Sequence, residues 1–340
     1  MGEILQSGSG QGRLRVQSVH PLPPLPGASS LIPLEIRYAP GSPAGPSRVI
    51  LKGSSRMNNE LGNLSEVSFY QHAAPKMWGG MQNPPILRCY SALTAPEGQG
   101  YQLVLEDCME THAGRSPTML PPTLQECEWI IDTLADLHAF WWDHSQLGEM
   151  GSSLPSQESI QTDLERDAAN YTRLADFLGD RLTLARRAMF EQLLDCLPEA
   201  RTRHLTLGRG LTLTHDDPHA GNFLYPRNPK LHRLLLIDWK SWSIQPGAAD
   251  LAHMMGVFWF LERRARLEQP LLHRYLKRFV SKGVTGYTLD DLWFDYRLAI
   301  CSLMLYPIWQ WSVGLPDWMW WPHLERLATA FEDLHCKEVL

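Results

Sequence analysis

A small sheet lobe joined to a larger, mainly helical lobe is the architecture this sequence predicts, α/β overall (or α+β). Three observations carry it. Short runs with strand character fill residues 27–106, apolar residues recur at three- and four-residue steps after about residue 123, and the stretch 211–242 sets short strands against polar clusters. Residues 1–26, rich in Gly, Ser and Pro, read as a flexible leading segment, 27–106 as the first lobe and 107–340 as the second.

Length and composition narrow the function classes. A chain of 340 residues, 44% hydrophobic and 20% charged, has an ordinary folded composition and can bury a sizeable core. Its net charge of −6 argues against nucleic acid and against an anionic membrane, both of which need a basic patch to grip. The six cysteines (Cys89, Cys108, Cys127, Cys196, Cys301, Cys336) show no CxxC pairing and fit a reducing cytoplasm. No secretory signal is read at the N-terminus, and Gln6 stands where a myristoylation site needs Ser or Thr. Residues 298–316 carry no charge, which raises a membrane span. Pro307, Gln310, Ser312 and Gly314 interrupt that run, so a buried helix and a following loop are expected instead.

In chain order, residues 20–26 read as a polyproline connector and 27–30 as a turn of small residues. Strands are expected over 31–38 and 48–52, a helix over 64–74, and two further strands over 85–90 and 101–107. Residues 123–138 form an amphipathic helix through Leu124, Cys127, Ile131, Leu134 and Leu137, with His138 read as a packed core histidine. A loop follows over 148–157, then helices over 160–177 and 182–197. Strands over 211–214, 223–225 and 234–237 precede helices over 251–263, 268–282, 290–309 and 320–335. Trp309, Trp311, Trp318, Trp320 and Trp321 crowd the C-terminal part, as core or as an acceptor wall.

The chemistry concentrates in His215-Asp216-Asp217-Pro218-His219-Ala220-Gly221-Asn222 and in Asp238-Trp239-Lys240. In a kinase catalytic loop, His, Asp and Asn stand at the spacing of His215, Asp217 and Asn222, the Asp taking the hydroxyl proton and the Asn holding magnesium. Asp238, after an apolar strand, is the natural second metal ligand. A rival reading makes His215, Asp216, Asp217 and His219 ligands of a hydrolytic metal site. It leaves Asn222 and Asp238 without a role.

These two clusters resemble the catalytic loop H-G-D-x-H-x-x-N and the I-D-W strand end of small-molecule kinases with a protein-kinase-like fold: aminoglycoside phosphotransferases, choline kinases and ecdysteroid-kinase-like proteins. Asp216 departs from the usual Gly, at a turn whose unusual backbone angles Asp tolerates better than most residues. The resemblance implies a two-lobed fold, with one helix in the small antiparallel sheet lobe, and ATP between the lobes. It makes Lys52 the residue that holds the ATP phosphates, Glu66 (or Glu60) its partner, and Gly27-Ala28-Ser29-Ser30 the loop over the nucleotide. It places Glu106 and Cys108, in LVLEDC, at an adenine-binding hinge. Asp250, in G-x-x-D-L-A, would brace the catalytic loop together with His215 and His219.

The resulting expectation is an ATP- and magnesium-dependent kinase of a small hydroxyl compound, neutral and partly apolar, with Asp217 as base and Asn222 and Asp238 on the metal. The alternatives are an aminoglycoside- or choline-type phosphotransferase, a non-catalytic nucleotide-binding pseudokinase and a metal-dependent hydrolase.

Overall fold

Alternation of apolar residues along short strands builds the first sheet of the computed structural model, which describes residues 14–23, 30–54, 60–94, 100–115, 120–150, 154 and 156–340. Strands β1 (Val16–Pro21), β2 (Leu31–Tyr38), β3 (Arg48–Ser54), β4 (Cys89–Thr94) and β5 (Tyr101–Glu106) lie antiparallel in the order β1-β2-β3-β5-β4. Leu34 pairs with Val49, and Leu51 with Val104. With Leu14 and Ile36, the residues Leu34, Val49 and Val104 form a buried cluster, against which Leu51 packs. Successive side chains of a strand point to opposite faces, so Lys52 leaves that cluster for the other face, where it is itself buried.

Strand β1 corrects the flexible and polyproline readings over residues 16–21, while residues 1–13 and 24–26 of those readings lie outside the described residues. His20 and Pro21 pair with Glu35 and Leu34 instead. A proline without an N–H is tolerated because β1 is an edge strand. The strand expected over 85–90 starts later, at Cys89, and Ile86 makes a single parallel bridge to Leu236.

The chain divides into two units: residues 1–116, 149–152 and 222–242 form one, and the remainder the other. The single boundary after Glu106 that the sequence suggests is therefore not the one found. The cause is long-range pairing, with β6 (His112–Gly114) laddered to β8 (Phe223–Pro226) and β8 to β9 (Leu235–Leu236). Also in the first unit, helix α1 (Glu60–Ser68) continues through a π-helical turn (Phe69–Ala73) into α2 (Ala74–Gly80).

The second unit is mostly helical. Thr123 and Glu126 form a reciprocal capping box that starts α3 (Leu124–Trp141), followed by α4 (Gln157–Leu178), α5 (Leu184–Arg201) and the short α6 (Arg203–Leu207). A two-stranded ladder of β7 (Thr212–Thr214) and β10 (Ser243–Gln245) flanks the loop that begins at His215. Helix α7 (Ala248–Ala252) runs into a π-helical turn (His253–Val257), and α8 (Leu261–Ser281), α9 (Leu289–Leu303), α10 (Tyr306–Ser312) and α11 (Asp317–Asp333) complete the unit.

Two expected helices are cut. The one over 251–263 stops before Phe260, whose extended backbone (ψ 153°) starts α8 afresh, and this lets Trp259 go inside (2% exposed) while Phe260 stays outside (65%). The helix over 290–309 ends before Pro307, which cannot continue a helix but fits the first turn of α10. No helix among the described residues is long and apolar enough to cross a membrane. The tryptophan group is split, with Trp320 buried and Trp309 and Trp318 exposed.

Candidate active site

In the first unit, β3 brings Lys52 under helix α1, and the Lys52 Nζ lies 2.8 Å from Glu66 Oε1 and 2.7 Å from Oε2. The same ammonium donates to Asp238 Oδ1 at 2.8 Å. Burial opposes the charge on Lys52, but the two carboxylates outweigh it and raise its pKa. Burial likewise raises Glu66 beyond what Lys52 offsets, whereas at Asp238 burial, the largest single influence, is outweighed by the charges and hydrogen bonds of Lys52 and Lys240 together, which hold the carboxyl low. Lys240 Nζ adds a second cation 3.3 Å from Asp238 Oδ1.

The residues around Asp238 explain the composition of this strand end. Trp239 is fully buried and stacks on Phe69 with ring centroids 3.8 Å apart, and Trp242 donates its indole N–H to the Ser65 carbonyl at 2.8 Å. Glu66 is the next residue after Ser65, so the tryptophans fix the helix that carries it. Asn222 is buried at the start of β8, its carbonyl accepting from the Ile237 N–H at 2.9 Å, which ties the two oxygen-bearing segments together.

In the second unit, the loop from His215 to Gly221 hangs on Asp250. This carboxylate, fully buried, accepts from the N–H of His215 at 2.9 Å and of Asp216 at 2.8 Å. His138 Nε2 lies 3.1 Å from Asp250 Oδ2, and its Nδ1 is 2.9 Å from the Tyr275 hydroxyl. Burial would raise the Asp250 pKa, but these hydrogen bonds and the nearby imidazoles lower it. His138, read from sequence as core, is thus core and polar at once. Asp217 is 32% exposed, with His219 Nε2 at 3.7 Å from Oδ2 and His253 Nε2 at 3.9 Å from Oδ1.

Asp216 and Asp238 both adopt left-handed backbone, at φ 65° and 67°. A glycine would do so freely; here aspartate does. Asp216 accepts from Gln245 Nε2 at 2.6 Å, and burial together with the Asp250 charge pushes its carboxyl up from 3.8 to about 6. A carboxyl raised in this way favours the fold while protonated. That contribution is present below the unfolded value of 3.8 and is lost as pH rises through about 6. Asp216→Asn keeps the left-handed turn and removes the charge, so its thermal midpoint should exceed the parent's above pH 6 and converge with it in acid. Parallel pH curves for the two proteins would show that Asp216 does not carry this linkage.

Of the other residues singled out by sequence, Ser30 accepts at its carbonyl from the Gly53 N–H at 3.4 Å, one residue beyond Lys52. Glu106 ends β5 opposite Val49, and the Cys108 carbonyl closes a turn with Thr111 and His112. Burial pushes the Cys108 thiol up to about 12, which leaves it unreactive. Ser29 and the side chain of Glu60 lie outside the described residues. The rival cluster of His215, Asp216, Asp217 and His219 does not converge: Asp216 turns onto Gln245, and no group of three or more metal-binding side chains is gathered among the described residues. Sequence reasoning includes Lys240 in the second cluster without giving it a role, and it misses His253. An offset of three residues from Asp250 is the one signal for His253.

The model of the phosphotransferase enzyme family (APH) matches residues 43–287, and the chain belongs to that family. A sequence comparison with curated proteins finds no match. Among solved structures, a Ralstonia eutropha protein bearing the aminoglycoside phosphotransferase designation is similar at 15% identity and TM-score 0.56, over 98% of this chain and 94% of its own. A choline kinase of Streptococcus pneumoniae is similar at 17% identity and TM-score 0.50, over 94% of each chain. An Alicyclobacillus acidocaldarius aminoglycoside phosphotransferase is similar at 16% identity and TM-score 0.50, over 96% and 92%. These likenesses show the fold alone, a mixed α/β fold with a small antiparallel sheet lobe and a larger helical lobe that this chain shares with those proteins.

Proposed function

We propose that this phosphotransferase moves the terminal phosphoryl group of ATP, with magnesium, to a hydroxyl of a small, neutral and partly apolar compound in the cytoplasm. The observation that carries the reading is the Lys52 ammonium held by Glu66 on one side and Asp238 on the other. A positioned cation of this kind neutralises phosphate oxygens, and phosphoryl transfer depends mostly on such positioning and charge stabilisation.

The donor set also suits the metal. Magnesium prefers hard oxygen ligands and takes one or two carboxylates together with substrate phosphates, and Asn222 and Asp238 offer an amide oxygen and a carboxylate. Bound there, magnesium would neutralise charge on the triphosphate. Ser29 and Ser30 would cover the phosphates, and backbone groups of Glu106 to Cys108 would meet the adenine. Asp217 accepts the proton of the acceptor hydroxyl as its oxygen attacks the terminal phosphorus.

What surrounds Asp217 in the second unit supports this acceptor class. His219 and His253 face its two oxygens, Phe258 packs on both imidazoles at 5.4 and 5.5 Å, and Tyr306 packs on His253 at 5.2 Å. Rings bind apolar or flat alcohols, whereas a polycationic sugar needs several carboxylates to replace its water. Rings also attract quaternary ammonium groups, and the similar Streptococcus pneumoniae protein is a choline kinase, so choline belongs in the test beside kanamycin-type sugars.

ATP consumption across a library of hydroxyl metabolites, choline and aminoglycosides is the test. Turnover only on the polycationic sugars would overturn the acceptor class. Lys52→Met should lower turnover on any substrate found by ~10²-fold or more, the scale of losing a charge-stabilising group. A hydrolase working through residues 215–219 would keep its rate in that variant.

A further inference from the structure

Helix α7 and the turn after it run beside the catalytic loop and meet its residues in order. Asp250 takes the N–H groups of His215 and Asp216, and three residues on, His253 presents its ring to the Asp217 carboxylate, with Nε2 3.9 Å from Oδ1. His253 opens a π-helical turn, a local widening found frequently at functional sites.

The imidazole is 3% exposed, and neither of its nitrogens has a hydrogen-bond partner among the described residues. Buried polar groups are nearly always paired, so this one requires an explanation. Phe258 and Tyr306 enclose the ring, and both also pack on His323 from α11. The titratable groups around His253 are Asp250 on its own helix, His215, Asp217 and His219 on the loop, Tyr306 on α10 and His323 on α11. Burial dominates these influences and drives the His253 pKa down to about 3, so the ring is neutral at working pH and carries one N–H. Asp217 Oδ1 is the carboxylate oxygen facing Nε2, and a shift of about 1 Å brings the two into hydrogen-bond range.

We propose that His253 is a positioning residue for Asp217: its neutral Nε2–H donates to Oδ1 during turnover and turns Oδ2 toward the acceptor. This rests on the reading of Asp217 as the base. In that step the acceptor O–H bond breaks as its proton passes to Oδ2, the hydroxyl oxygen bonds to the terminal phosphorus, and the bond from phosphorus to the ADP oxygen breaks. His253 keeps its own proton throughout.

Two measurements decide it. In protein labelled with 15N at histidine, the signal lost in H253Q identifies His253, which should be the Nε2–H tautomer with an N–H resonance that moves when Asp217 is changed to Asn. A His253 signal indifferent to Asp217→Asn, or protonated at Nδ1 alone, overturns the proposal without reference to catalysis. The second measurement is the pH profile of magnesium-ATP turnover, with water as acceptor where no alcohol has been found. A donor to a carboxylate favours its charged form, so H253L should move the acid limb up by about one pH unit and lower kcat about tenfold. KM for ATP should stay constant, and H253Q, which restores an N–H near the same place, should recover most of the rate. An unmoved acid limb in H253L overturns the proposal. A parent protein without any magnesium-ATP turnover would instead count against the kinase reading, and the NMR contact would still be answered.

Discussion

Asp217→Asn should remain folded, bind nucleotide as the parent does and lose phosphoryl transfer by ~10²-fold or more, the usual range for a positioned proton acceptor. The size of the effect follows from geometry. Asp217 is partly exposed, at 32%, while Asp216 is turned onto Gln245 and Asp250 is sealed inside holding the backbone. An amide at position 217 preserves shape and hydrogen bonding but cannot take the proton. Because the loop hangs on Asp250 through the N–H groups of His215 and Asp216, the substitution does not touch its anchorage. Turnover and nucleotide binding measured on the same preparation check the prediction, and a folded variant with the parent's kcat would remove Asp217 from the mechanism.

Asp238→Ala should act on binding rather than on proton transfer. It would remove the oxygen proposed to hold the metal, and it removes the carboxylate that sits 2.8 Å from Lys52 and 3.3 Å from Lys240. Magnesium-dependent ATP affinity should fall by at least the ~10- to 100-fold that loss of a supporting partner costs a metal site. Binding without magnesium should change less, and it can even improve, because Lys52 loses one of its two carboxylate partners and Lys240 loses Asp238, which leaves more positive charge for the phosphates. Nucleotide titrations with and without magnesium separate the two terms. Identical magnesium dependence in variant and parent would place the metal elsewhere.

What could be read in the sequence was whatever local spacing encodes. The offsets from His215 to Asn222 and the strand end at Asp238 stand within about two dozen residues of each other, and Lys52 and Glu66 within fourteen. Contacts between distant segments left weaker traces. Pro21 disguises β1 because only an edge strand accommodates it, and nothing in residues 223–226 announces that their partner is His112–Gly114. His253 stands in the apolar run after Leu251, where one histidine among Met and Phe reads as filler. His138 was placed correctly in the core, but its bond to Asp250 spans 112 residues and has no local signature. Ser30, Glu106 and Cys108 would act through backbone atoms, which side-chain identity does not report.

The two indoles of the strand end bear on control. In protein kinases, activity is switched by moving the helix that carries the glutamate of the lysine pair. Here that helix is stapled on both sides of Glu66, by Trp242 on the Ser65 carbonyl and by the stack of Trp239 on Phe69. Swinging it out would break a buried aromatic stack and strand an indole N–H at the same time. Displacing that helix from Lys52 therefore costs both contacts, and the Lys52–Glu66 pair is held in place by the fold of the unit itself.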